Sequence, residues 1–113
     1  MKFSLTKKDI ISLNQEFDEC MLYNEASLDF ALSYAKNTEN WTKALAWLTR
    51  AIPLDHVFEE ANKRTTALLL KAYAKYEGRG TYDDKVVKLI KRILLKNITS
   101  IRNIEEMIKD AIK

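Results

Sequence analysis

Glycine and proline are nearly absent from this chain, with two and one in 113 residues. Tight hairpin turns draw on residues that tolerate positive φ, so the scarcity excludes sandwiches, barrels and other all-β architectures. A single cysteine, Cys20, excludes an internal disulfide and a cysteine metal cluster. Beside Phe17 and Met21 at helical spacing it reads as a buried thiol, which favours a reducing, intracellular compartment. No run approaches the roughly 20 apolar residues of a membrane span. The opening Met-Lys-Phe-Ser-Leu-Thr-Lys-Lys lacks the apolar stretch of a secretory signal, so a soluble, cytoplasmic protein with no membrane partner is expected.

Leu, Ile, Val and Phe together make up 31 of the 113 residues, enough for a packed core and too many for a disordered chain. The net charge of +3 does not by itself imply nucleic acid, but it is unevenly spread: residues 1–62 carry −4 and residues 63–113 carry +7. Lys85, Lys88, Lys91, Arg92 and Lys96 have no aromatic residues among them, so they read as a solvated face rather than a nucleic-acid stripe.

Apolar spacing predicts six helices in one compact all-α domain spanning residues 1–113. Thr6 and Asp9 form a capping-box pattern for a first helix that the stripe Ile10, Leu13, Phe17, Cys20, Met21 extends to about Leu22. Ser27 is the expected cap of a second helix bearing Leu28, Ala31, Leu32 and Ala35, and Lys36 to Asn40 read as a loop. A third helix starts at Trp41 and is expected to stop at Pro53, which has no N–H to continue it. The fourth, from Ala61 or Asn62 to Tyr76, is apolar on more than half its circumference and reads as the central helix, with Gly78 and Gly80 ending it. A fifth follows Asp83 and Asp84 as its caps, and a sixth follows Thr99 and Ser100. Trp41 lies on the apolar stripe of the third helix and Trp47 off it, as a core-edge residue, while Tyr73, Tyr76 and Tyr82 read as core and boundary aromatics.

Chemistry concentrates in Pro-Leu-Asp-His-Val-Phe-Glu-Glu-Ala-Asn-Lys-Arg-Thr-Thr, residues 53–66. A helix N-terminus has backbone N–H groups without acceptors and attracts anions, and Asn62, Lys63 and Arg64 add polar and cationic side chains there. Phosphate is the natural ligand of such a place. Glu60 suits magnesium bridging phosphate oxygens, and the His56 imidazole is a candidate to take the proton of an attacking hydroxyl. A lone His after a proline is by itself an ordinary loop or capping residue, and Glu59 reads as a first-turn acid favouring the helix dipole. Lys63 and Arg64 read either as surface cations or, since cations in a first turn oppose that dipole and usually have another use, as partners of an anion. The grouping suggests nucleotide-dependent group transfer.

The stretch His56, Phe58, Glu60, Ala61, Asn62, Lys63, Arg64, Thr65 resembles the signature of the Fic/Doc family, His-x-Phe-x-(Asp/Glu)-(Gly/Ala)-Asn-(Gly/Lys)-Arg, in every defining position. Ala61 and Lys63 follow the Doc branch, toxins of phage addiction modules, and Ala67 stands where typical Fic enzymes carry a second Arg. Leu5 to Leu13, Ser27 to Leu32 and Ile98 to Ile108 are similar to other parts of Doc-like chains, whereas residues 35–42 are shorter than the family's target-aligning flap.

The resemblance implies a Fic/Doc-like helical fold and roles for individual residues. His56 would be the general base and Phe58 the anchor holding the loop in the core. Glu60 would bind Mg2+, while Ala61, Asn62, Lys63 and Arg64 would cradle the phosphates of ATP, with Arg64 also neutralising charge on the transferred group. Lys63 together with Ala67 leans toward γ-phosphoryl transfer to a Thr or Ser of a host protein, by analogy elongation factor Tu. AMP transfer to a protein hydroxyl is the alternative, and a non-catalytic partner-binding relative a third reading. The inhibitory pattern (Ser/Thr)-x-x-x-Glu-(Gly/Asn) does not occur, since Ser100 is followed by Ile104 where Glu would stand, so restraint is expected from a separate antitoxin protein.

Overall fold

A computed structural model describes residues 4–17 and 21–113, and Cys20, read above as a buried thiol, lies outside them. Among the described residues the chain forms six helices, α1 (Lys7–Gln15), α2 (Glu25–Lys36), α3 (Trp41–Leu54), α4 (Asn62–Tyr76), α5 (Asp83–Lys96) and α6 (Ile101–Ala111). Two isolated antiparallel bridges, Leu22 with Phe58 and Thr81 with Ile112, are the extended pairings among these residues. The architecture is an all-α bundle, and no described helix is long and apolar enough to cross a membrane.

The hub is α3, not α4. It packs against α2, α4, α5 and α6, and it buries residues on nearly all sides, from Thr42 through Leu45, Leu48 and Ile52 to Pro53. Its alanines Ala44, Ala46 and Ala51 are fully or almost fully buried and let four neighbours approach closely. By contrast α4 buries Thr65, Thr66, Leu69, Leu70, Tyr73 and Ala74 while leaving Ala72 and Tyr76 exposed, so its broad apolar surface is only partly used.

Local chemistry sets the helix ends. Thr6 and Asp9 form the complete capping box at the start of α1. That helix ends at Gln15, well short of Leu22, because the backbone beyond it bonds elsewhere: Tyr23 and Asn24 N–H donate to the Val57 carbonyl at 2.8 and 3.0 Å, and Glu59 N–H donates to the Met21 carbonyl at 2.9 Å. The cap of α2 is Asn24, whose side chain accepts from the Ser27 N–H, rather than Ser27 itself. Pro53 lies inside α3, one residue before its end, and costs only one last-turn bond because Asp55 N–H still reaches the Ala51 carbonyl at 2.9 Å. Tyr82 is the N-cap of α5, which places Asp83 and Asp84 within its first turn instead of ahead of it.

Gly78, at φ 78°, ends α4 in a Schellman turn, in which Arg79 N–H reaches the Ala74 carbonyl at 2.8 Å and Gly78 N–H the Lys75 carbonyl at 2.9 Å. Ion pairs from Lys7 to Glu25 and Asp29 tie α1 to α2 and raise the Lys7 pKa through hydrogen bonds to both carboxylates. Trp47 is half-buried and stacks on Tyr34 at 4.4 Å, and Trp41 packs on Tyr73 at 5.8 Å. Tyr73 is buried, which raises its pKa, whereas Tyr76 and Tyr82 are exposed.

Candidate functional site

Between α3 and α4 the chain makes a tight loop whose shape comes from two residues in the left-handed region. His56 has φ 51° and Ala61 φ 61°, positions where a side chain costs about 1 kcal/mol relative to glycine. His56 follows the C-cap of α3, and Val57 N–H closes the turn on the Ile52 carbonyl at 3.3 Å. Val57 and Phe58 are then driven into the core at 0 % exposure, which lifts the neighbouring His56, Glu59 and Glu60 to the surface.

The loop is held from two sides. The Asn62 amide clamps Phe58, its Oδ1 accepting from the Phe58 N–H at 3.0 Å and its Nδ2 donating to the Phe58 carbonyl at 2.7 Å. Asn14 of α1, fully buried, donates from Nδ2 to the Glu60 carbonyl at 3.1 Å and to Thr65 Oγ1 at 2.9 Å. Asp55 is tied to α2, its carboxylate accepting from the Ser27 hydroxyl and its carbonyl from Asn24 Nδ2 at 3.0 Å.

Helix α4 begins on Ala61 with no side-chain cap. The N–H groups of Asn62, Lys63 and Arg64 therefore have no intrahelical acceptor, and the first such bond of α4 runs from Thr65 N–H to the Ala61 carbonyl at 2.9 Å. The same residues, 61–64, line a cleft of about 460 Å³ together with Pro53, His56, Glu59, Glu60 and Leu94. A second hollow of about 430 Å³ is lined by Tyr23, His56, Phe58 and Glu59, so His56 and Glu59 line both spaces. The Arg64 guanidinium sits 5.2 Å from the centre of the Phe17 ring, which limits where its charge can go.

The structure thus brings His56, Glu60, Ala61, Asn62, Lys63 and Arg64 to one cleft. It gives Asn62 a structural task, one amide N–H and one oxygen lone pair being used on the Phe58 backbone. No group of three or more His, Cys, Asp or Glu side chains among the described residues could cage a metal ion. A lone surface carboxylate such as Glu60 fits magnesium only in the way that ion usually binds, with phosphate oxygens and water completing its octahedron. Sequence reasoning missed Asn14 and Asp55. Asn14 stands four residues after Ile10 on the apolar stripe, and a polar residue there is the sign of a buried hydrogen-bonding task.

No family model matches the chain, and neither the curated proteins nor the solved structures yield a match.

Proposed function

We propose that the chain is a Fic/Doc-like transferase that uses ATP to phosphorylate a hydroxyl of a protein. The observation that supports this reading is the convergence, on one cleft of about 460 Å³, of an uncapped helix start, two first-turn cations, Glu60 and the only histidine. Each feature alone is ordinary; together they match what phosphoryl transfer requires, which is positioning and charge stabilisation.

In this mechanism the N–H groups of residues 62–64 and the side chains of Lys63 and Arg64 hold phosphate oxygens. Asn62 keeps those N–H groups aimed by fixing Phe58. Glu60, with Glu59 beside it, is the residue that would hold magnesium, which when bound neutralises charge on the transferred group. The target hydroxyl approaches from the Tyr23 side of His56. His56 takes its proton as the oxygen attacks the γ-phosphorus, and the bond to the bridging oxygen breaks to release ADP. Following the resemblance, Lys63 with Ala67 favours this outcome over AMP transfer, the target is a threonine of elongation factor Tu, and a separate antitoxin supplies restraint.

The test is a labelling reaction with magnesium and elongation factor Tu in a bacterial lysate, using α-labelled and γ-labelled ATP in parallel, wild type beside His56→Ala. Transfer from the γ label only, lost in the variant, is the expected result. Transfer from the α label assigns AMP transfer instead, and transfer that survives in His56→Ala removes the histidine from its role. Silence with both labels removes the transferase reading.

A further inference from the structure

Helix α1 has nine residues and fully buries two of them, Ile10 and Asn14. So short a helix would be held better by a second apolar side chain in the place of Asn14, because a buried amide is tolerated only for the hydrogen bonds it makes. Those bonds all go to one segment. Asn14 Nδ2 donates to the Glu60 carbonyl at 3.1 Å and to Thr65 Oγ1 at 2.9 Å, one position ahead of residues 61–64 and one behind them. Its Oδ1 has no partner among the described residues. Asn14 therefore brackets the four residues that line the cleft, including Ala61 with its left-handed backbone and the three N–H groups without an intrahelical acceptor.

The same end of α1 reaches a side chain of the cleft. Phe17 N–H donates to the Asn14 carbonyl at 2.9 Å, which sets Phe17 one turn beyond Asn14, and the Arg64 guanidinium lies 5.2 Å from the centre of its ring. A long side chain stationed over an aromatic face has less conformational freedom to lose when it meets an anion. Neither Asn14 nor Phe17 lines the cleft, so each can act there only through another residue.

We propose that Asn14 and Phe17 are positioning residues of the phosphate site, Asn14 for the backbone of residues 61–64 and Phe17 for the guanidinium of Arg64; this rests on the phosphate reading given above. The site then has a part that lies outside the segment from His56 to Arg64, and α1 is the element that supplies it.

The full chain titrated calorimetrically with inorganic tripolyphosphate and magnesium, below the melting temperature of each variant, tests this. Asn14→Leu keeps the volume and removes both bonds, and is expected to weaken binding about tenfold. Ile10→Val loosens the same helix without touching those bonds, and is expected to lower the melting temperature while leaving the affinity unchanged. Phe17→Leu keeps an apolar side chain but loses the ring, and is expected to weaken binding about threefold, whereas Phe17→Tyr retains wild-type affinity. In an Arg64→Ala background Phe17→Leu is expected to have no further effect, because its role runs through that guanidinium.

An affinity that falls as far in Ile10→Val as in Asn14→Leu overturns the role of Asn14, since docking of α1 alone then accounts for it. Phe17 variants remain informative where Asn14→Leu does not fold: equal affinities of Phe17→Leu and Phe17→Tyr, or additive losses with Arg64→Ala, overturn the role of Phe17. Each of these results leaves the phosphate site standing. Failure of tripolyphosphate to bind the wild type overturns the phosphate reading and this inference with it.

Discussion

Helices α4 and α5 both begin without a side-chain cap, on Ala61 and Tyr82, and they carry opposite charges where they begin. Each start is delivered by a loop pinned through an isolated bridge, Leu22 to Phe58 ahead of α4 and Thr81 to Ile112 ahead of α5. Asp83 and Asp84 in the first turn of α5 complement the positive end of the helix, an arrangement worth about 0.3–1 kcal/mol per charge. Lys63 and Arg64 in the first turn of α4 add to that positive end, and Ala61 accepts a left-handed backbone to make the turn. One start is built to be stable; the other forgoes stability to keep a positive, open surface.

The largest expected effect is at the anchor. Phe58→Ala removes a fully buried aromatic and should cost about 3–5 kcal/mol in a urea titration. Thr81→Ala, at the corresponding bridge ahead of α5, should stay within about 0.5 kcal/mol. Similar losses at the two positions would erase the contrast between the loops. Next comes Asn62→Ala, which strips both hydrogen bonds from the Phe58 backbone and should lower stability by about 1–3 kcal/mol. A loss below that range would mean the clamp does not hold the loop.

Two smaller changes should raise stability, which few substitutions do. Ala61→Gly relieves the left-handed backbone and should add about 1 kcal/mol, whereas Tyr82→Gly, at φ −90°, gains nothing from the same exchange. Lys63→Glu converts the start of α4 to the charge pattern of α5 and should add about 0.3–1 kcal/mol at low salt while abolishing tripolyphosphate binding. Asp84→Lys should cost a similar amount, and both effects should shrink as salt is raised. A Lys63→Glu protein that melts earlier than the wild type would contradict the dipole argument.

The helices were legible because their apolar spacing is local information, repeated every three or four residues. The site segment was legible for the same reason, since His56 to Arg64 are consecutive and the helix start after them is a property of a few residues. What spacing did not show were choices made by distant partners. The stripe from Ile10 to Met21 is helical in pattern, yet the 21–24 backbone pairs with 57–59 instead, and nothing within the stripe encodes that competitor. Asn14 bonds residues 46 and 51 positions away, so its task was invisible from its neighbours. The apolar breadth of α4 suggested a central helix, but the small side chains of α3 decided which helix the others could crowd around.

The open first turn of α4 also divides that helix in time. The amide protons of Asn62, Lys63 and Arg64 have no acceptor among the described residues and should exchange with solvent like those of a loop, whereas those beyond Leu69 lie over the core and should wait for larger openings of the fold. In deuterium exchange the front of α4 is therefore the place to test the proposed anion, which is expected to slow exchange there if it takes up those N–H groups. The back of the same helix is a gauge of folding.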